Sequence, residues 1–381
     1  MTLTSFVAKS AFRNKRRSLL TVASIAFSLL LLCIMLSVWR SFYIDKGAPD
    51  SALRIMTRYK VSLANFLPIY YRNKIRTIPG VVHVVPMTWF GGKYIDDKPQ
   101  NFFSQFATDP DEYLDVAADK VIPPDQVDAW KRDRAGCIVD VDLARKHNWK
   151  IGDHIILQGT IFPTDLDLTV RGIYTIDPPS SNLYFHTKYL EESVDRFKDT
   201  AGFYFIRVDT AEHMPQAAHA IDDMFHGSPV PTKSESEQAF KLDFINTLGS
   251  VKAFILSICG AVVFTTLLVC ANTMAMSIRE RTREVAVLRT LGFTRERILK
   301  LLLSESIAIA LVGGLIGITL ATGAILFIAR PGIGLPVSLH MTVATAAAVM
   351  GVAFLVGLVS GVLPSYRASN LGIVDALRYI G

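Results

Sequence analysis

Residues 277–329 read SIRERTREVAVLRTLGFTRERILKLLLSESIAIALVGGLIGITLATGAILFIA, and this stretch decides the fold. Between Ser277 and Lys300 it carries seven Lys or Arg against three Glu. Apolar segments flank that block, each long enough to cross a bilayer, for which about 20 predominantly apolar residues suffice. A charged connector this short cannot bury a core of its own. It reads as a helical loop at the membrane face whose apolar side needs a partner there.

Working outward, half of the 381 residues are apolar, and they gather in four runs: Leu19 to Val38, Val251 to Met276, Leu301 to Ala329, and His340 to Leu363. Only Lys252, near the start of the second run, and Glu305 and Arg330, near the ends of the third, carry charge there. The fold class expected is therefore a polytopic α-helical membrane protein with four transmembrane helices, at 19–40, 250–276, 301–329 and 340–363. A large α+β extracytoplasmic domain, 41–249, lies between helices 1 and 2. The first run is not a signal peptide on this reading. Its apolar core exceeds the usual h-region of about 7–15 residues, and no small-x-small cleavage site follows Val38.

Charge sets the expected orientation. Residues 1–40 hold six basic and no acidic residues, the 277–300 loop is net +4, and 41–249 are net −6. This is the positive-inside alternation, placing both termini and the 277–300 loop in the cytoplasm, and 41–249 and the short 330–339 loop outside. A nucleic-acid partner would call for clustered charge in a folded domain instead, so none is expected. Residues 1–18, with Phe6, Val7, Ala11 and Phe12 beside Lys9, Arg13, Lys15 and Arg16, suit an amphipathic helix at the lipid headgroups. Residues 364–381 form a cytoplasmic tail.

Within 41–249, Val81–Val85, Cys137–Val139, His154–Leu157, Leu166–Tyr174 and Phe203–Val208 read as strands, and Asp142–His147 and Met214–Phe225 as helices. Residues 136–178 are expected to form an inserted β subdomain. Cys137 is the single cysteine of this region; Cys33, Cys259 and Cys270 lie in spans. No CxxC spacing offers a metal site.

Catalytic patterns are missing from the sequence. There is no G-x-x-x-x-G-K-[ST], H-E-x-x-H or G-x-S-x-G, so neither a catalytic nor a metal residue is assigned. A carrier or channel would place ionisable groups at mid-bilayer, whereas Glu305 lies about one turn inside its span, within reach of Arg297 or Lys300. Gly313 and Gly317, and Gly357 and Gly361, repeat a four-residue spacing that lets helices approach closely, within one chain or between copies. In the loop, Ser277 is expected to cap a helix ending at Gly292, with Glu280–Arg283 and Arg281–Glu284 as ion pairs. Thr294 then starts a helix running unbroken into the third span, so a push on the loop would be delivered along that helix.

The run from Glu280 to Thr294, ERTREVAVLRTLGFT, resembles the loop signature of MacB/FtsX-like ABC transporter permeases, the type VII ABC superfamily. Glu305 and Gly313-Gly314-x-x-Gly317 are similar to the same family, as are Arg13–Thr21 and, at the end, Pro364–Ser369 and Asp375–Tyr379. The resemblance implies a non-catalytic permease subunit, without a fused ATPase domain, in a bacterial inner membrane. Two copies of a cytoplasmic ABC ATPase, which bind the ATP and Mg, would dock on the loop through Glu280, Arg281, Glu284, Val285, Leu288, Arg289, Leu291 and Gly292. It further implies a homodimer or paired permease, with a periplasmic adaptor as a further partner. ATP-driven movement of a MacB-like periplasmic domain (mechanotransmission) would export periplasmic or membrane-derived cargo. Two alternatives are a signalling scaffold that switches a periplasmic enzyme, and a lipoprotein-releasing subunit.

Overall fold

The computed structural model describes residues 15–44, 49–96, 98, 101–177, 180–195, 198–247, 250–328 and 339–370. The amphipathic segment expected before residue 15, nearly all of the 330–339 loop and the tail beyond 370 lie outside them. Two compact units divide the chain: one contains 1–44, 250–327 and 339–381, the other 45–249 with 328–338.

In the first unit, helix α1 is Lys15–Tyr43. The second unit supplies strands β1 (Arg54–Tyr59) and β2 (Leu67–Pro68), helix α2 (Tyr71–Ile75), then β3 (Val81–Trp89) and β4 (Ser104–Thr108). Helices α3 (Tyr113–Val116) and α4 (Pro124–Arg132), strand β5 (Gly136–Asp140) and helix α5 (Val141–His147) follow. Next come β6 (His154–Leu157), β7 (Leu166–Tyr174), β8 (Asn182–His186), α6 (Thr187–Ser193), β9 (Thr200–Ala201) and β10 (Phe203–Val208). Helix α7 (Met214–Phe225), strand β11 (Thr232–Ser236) and helix α8 (Glu237–Thr247) complete it. The first unit then resumes with α9 (Val251–Glu280), α10 (Thr282–Thr290), α11 (Arg295–Ile328) and α12 (Val343–Ser369). Helices α1, α9, α11 and α12 are long and apolar enough to cross a membrane.

Nine strands of the large domain form one sheet in the order β11-β1-β10-β3-β4-β8-β5-β7-β6; β2 and β9 pair separately. Period-two alternation divides the central strands β1, β3 and β10 between two cores. Ile55, Val84 and Ile206 join Ile221 and Phe225 of α7 on one face, where Tyr71 stacks on Phe225 at 3.8 Å. Their neighbours Met56, Val85 and Phe205 join Tyr113 of α3 and Trp130 of α4 on the other. Local chemistry sets several ends. The Asp140 carboxylate accepts the Asp142 N–H at 2.8 Å and caps α5, while Asn148 closes it with a left-handed φ of 56°.

The expected inserted subdomain at 136–178 is not separate. Its strands β5, β6 and β7 complete one end of the common sheet through β8. Ile138 and Tyr174 share a core cluster with Met56, Val85 and Phe205 from the other end. The cause is long-range pairing: β5 lies antiparallel to β8, which follows the module directly, and β8 lies parallel to β4, more than 70 residues before it.

Candidate functional site

The 277–300 connector is built from three helical pieces. Ser277, expected to cap a new helix, lies inside α9; the chain breaks at Arg281, whose φ of −106° and ψ of 9° leave the helical path. After nine residues α10 ends at Gly292, φ 90°. Phe293 N–H donates to Leu288 O and Gly292 N–H to Arg289 O, both at 3.1 Å, the paired bonds of a Schellman closure. A side chain at that φ is strained, which is why glycine stands there. Thr294 Oγ1 then accepts the Arg297 N–H at 3.4 Å, and α11 runs from Arg295 to Ile328.

The expected docking residues fall on two faces of α10. Val285 and half-buried Leu288 turn inward, onto a cluster of Ile278, Ile298, Leu302 and Ala368 drawn from α9, α11 and α12. Ala286 is buried as well. Glu280, Glu284, Leu291 and Gly292 are exposed, and Arg289 is partly buried. Two residues that the sequence reading missed share the outer surface: Val287, 47% exposed, and Phe293, 43% exposed, beside Leu291 at 71%. Positions 284, 287 and 291 recur at helical spacing, so that face was already encoded in the sequence.

Arg281 points the other way. Its Nη1 lies 3.0 and 2.8 Å from the two carboxylate oxygens of Glu305, with side chains only 12% and 5% exposed. Glu305, expected to reach Arg297 or Lys300, thus takes a partner from outside its own helix, and Lys300 pairs with Glu296 at 2.6 Å. Beside Glu305 is a small cavity of about 20 Å³ whose lining mixes Ser18, Thr21, Ser277 and Ser306 with Ile25, Cys270 and Met274. A water needs about 10–15 Å³ on that measure and two to four polar partners.

The glycines sit at helix crossings within the chain. A Cβ at Gly313 would lie 2.6 Å from Ile25 Cγ2, and one at Gly317 2.8 Å from Ala26 O, so α11 and α1 meet backbone to backbone. Gly357 would meet Ile307 Cα at 2.9 Å and Gly361 the Ser306 Cβ at 2.9 Å, joining α12 to α11. The Ser306 hydroxyl donates to Gly357 O at 2.7 Å across that crossing.

Several charged groups of the large domain are engaged with one another. The Arg54 guanidinium holds Asp119 at 2.7 and 2.9 Å, and Arg58 pairs with Glu235 and Asp243. Burial pushes the Cys137 thiol well above its ordinary range, which leaves it inert rather than nucleophilic. Burial also raises the Asp140 carboxyl, against the N–H groups of Asp142 and Ser180 that favour its charged form. Among the described residues no three His, Cys, Asp or Glu converge as metal ligands.

Known proteins share both parts of this architecture. The family model for the MacB-like periplasmic core domain matches residues 18–224, and that for the FtsX-like permease C-terminal region matches 256–373. The ABC transporter permease YknZ of Bacillus subtilis (strain 168) is 32% identical over 169 residues, 43% of this chain and 40% of that protein. The macrolide export ATP-binding/permease protein MacB of Bdellovibrio bacteriovorus is 30% identical over 185 residues, 46% of this chain and 28% of that one. The matched stretches thus span less than half of either relative. The crystal structure of the periplasmic region of MacB from Actinobacillus actinomycetemcomitans aligns with 52% of this chain and 94% of its own, at 14% identity and a TM-score of 0.37.

Proposed function

The chain belongs to the MacB/FtsX type of ABC transporter permease, a non-catalytic class of multi-pass membrane protein, and on that premise we propose that it transmits the work of an ATPase carried on another chain. The ATPase docks on the outer face of α10, and its ATP-driven closure moves the large domain, which exports periplasmic or membrane-derived cargo without passing it through the four helices. ATP and Mg belong to that partner. Two permease copies, each with one ATPase, act together in a bacterial inner membrane, with both termini and α10 on the cytoplasmic side and a periplasmic adaptor engaging the large domain.

One observation carries the docking assignment. Helix α10 is held on its inner side by three long apolar helices, yet presents Val287, Leu291 and Phe293 outward among Glu280 and Glu284. An apolar patch rimmed by charge marks a protein partner, and a helix anchored this way passes on what its partner does. The basic character of the connector supports the cytoplasmic placement.

Affinity purification of the full chain from its native membranes, followed by mass spectrometry, tests the proposal. A nucleotide-binding subunit is expected with the wild type and lost with Leu291→Asp plus Val287→Asp, at unchanged membrane level. Recovery of the wild type without such a subunit would refute it.

A further inference from the structure

We propose that the Arg281–Glu305 ion pair is the positioning link through which displacement of α10 reaches the membrane helices; this rests on the docking reading above. Arg281 occupies the break between α9 and α10, so its backbone moves with the first turn of α10. Its guanidinium is committed to Glu305, 24 residues on and inside α11. A carboxylate so buried in a span is retained only with a partner. The two groups therefore follow each other rather than part.

What lies on either side of Glu305 gives the link a direction. Toward α12, the neighbouring Ser306 donates to Gly357 O, and Gly357 and Gly361 leave no space at that crossing. Helices α11 and α12 are thereby held as a pair. Toward α1 and α9, Glu305 borders a small cavity that Ser18, Thr21 and Ile25 of α1 and Thr273, Met274 and Ser277 of α9 also line. Further along, Gly313 and Gly317 bring α11 hard against α1. Helix α11 is thus closely packed at one level and has yielding, water-sized room at Glu305. A pull on Arg281 is therefore delivered to α11 at Glu305, between its glycine contact with α1 and its Ser306–Gly357 bond to α12.

The test uses the full chain in bilayer discs with the ATPase it retains from its native membranes. ATPase retention is measured together with the ATP-dependent change in hydrogen–deuterium exchange of residues 49–247. Arg281→Gln and Glu305→Gln are expected to keep the ATPase and to reduce the ATP-dependent change about tenfold. Arg281→Lys, which preserves the charge pair, is expected to retain most of it. Glu305→Asp guards against misfolding of the neutral variants: it keeps the charge but shortens the reach, and is expected to lose several-fold of the response. Neutral variants that respond like wild type overturn the link, as do variants that shed the ATPase along with the response. A wild-type complex holding no ATPase refutes the docking reading, and the link with it.

Discussion

Arg281 Nη1 lies 2.8 Å from Glu305 Oε2, joining the break before α10 to the interior of α11. Removing one partner strands the other charge among helices, a far larger penalty than the pair's net worth. Glu305→Ala is expected to lower the stability of the full chain in detergent by about 3–5 kcal/mol. Replacing both residues together, Arg281→Met with Glu305→Leu, should recover most of that loss. Thermal unfolding of the three variants beside wild type checks it; additive losses in the double variant would be the contrary result.

Glycine spacing alone does not say which glycines matter, whereas the geometry does. A Cβ at Gly317 would press on the backbone of α1 at Ala26 O, 2.8 Å away, while Gly323 in the same helix has nothing within 4 Å. Gly317→Ala is expected to cost about 1–3 kcal/mol by forcing α1 and α11 apart. Gly323→Ala should be neutral or gain up to about 1 kcal/mol in helix propensity. Denaturation midpoints of the two variants give the comparison.

The two faces of α10 answer differently to the same substitution. Val285→Asp puts a charge into the Ile278–Ile298–Leu302–Ala368 cluster and should destabilise the chain by several kcal/mol. Leu291→Asp, on a side chain 71% exposed, should change stability by less than about 0.5 kcal/mol. Equal melting temperatures for the two variants would contradict this division of the helix.

Acid should weaken the large domain through Asp119. Burial acts to raise its carboxyl, but Arg54 and Lys120 outweigh it and hold the group below the ordinary carboxylate range. A carboxyl whose folded value is depressed adds stability in full above its unfolded value, about pH 4, and loses it as pH falls through the lower folded value. Asp119→Asn is therefore expected to be less stable than wild type at pH 7. The gap should close as both are acidified below about pH 4. Unfolding followed by tryptophan fluorescence reads this, since Trp89, Trp130 and Trp149 all lie in the large domain.

The membrane helices were legible because length and apolarity suffice to define them, Phe203–Val208 because it is a short run rich in aromatic and β-branched residues, and Met214–Phe225 because its apolar residues recur at helical spacing. What escaped depended on distant partners. The parallel pairing of β4 with β8 joins segments more than 70 residues apart, from Ser104 to Asn182, which no local pattern announces. Glu305 was read against Arg297 and Lys300 because helical neighbours are all that a sequence offers; the guanidinium that reaches it arrives from another helix. Likewise Leu288 reads as a docking residue until Ile298 and Leu302 are seen to come up beneath α10.

The shared core under the nine-stranded sheet has a mechanical consequence. Met56, Val85 and Phe205 from one end and Ile138, Tyr174 and Tyr184 from the other belong to one cluster, so no hinge line runs between the two ends. Bending the plate in its middle would open that cluster to water, whereas a movement of the whole plate leaves the cluster intact. From β11 to β6 the sheet measures about 38 Å at the usual strand spacing. A tilt of about 10° around one edge strand carries the opposite edge through about 7 Å on that width. On the proposed reading the plate would serve as a lever arm, its reach set by its stiffness.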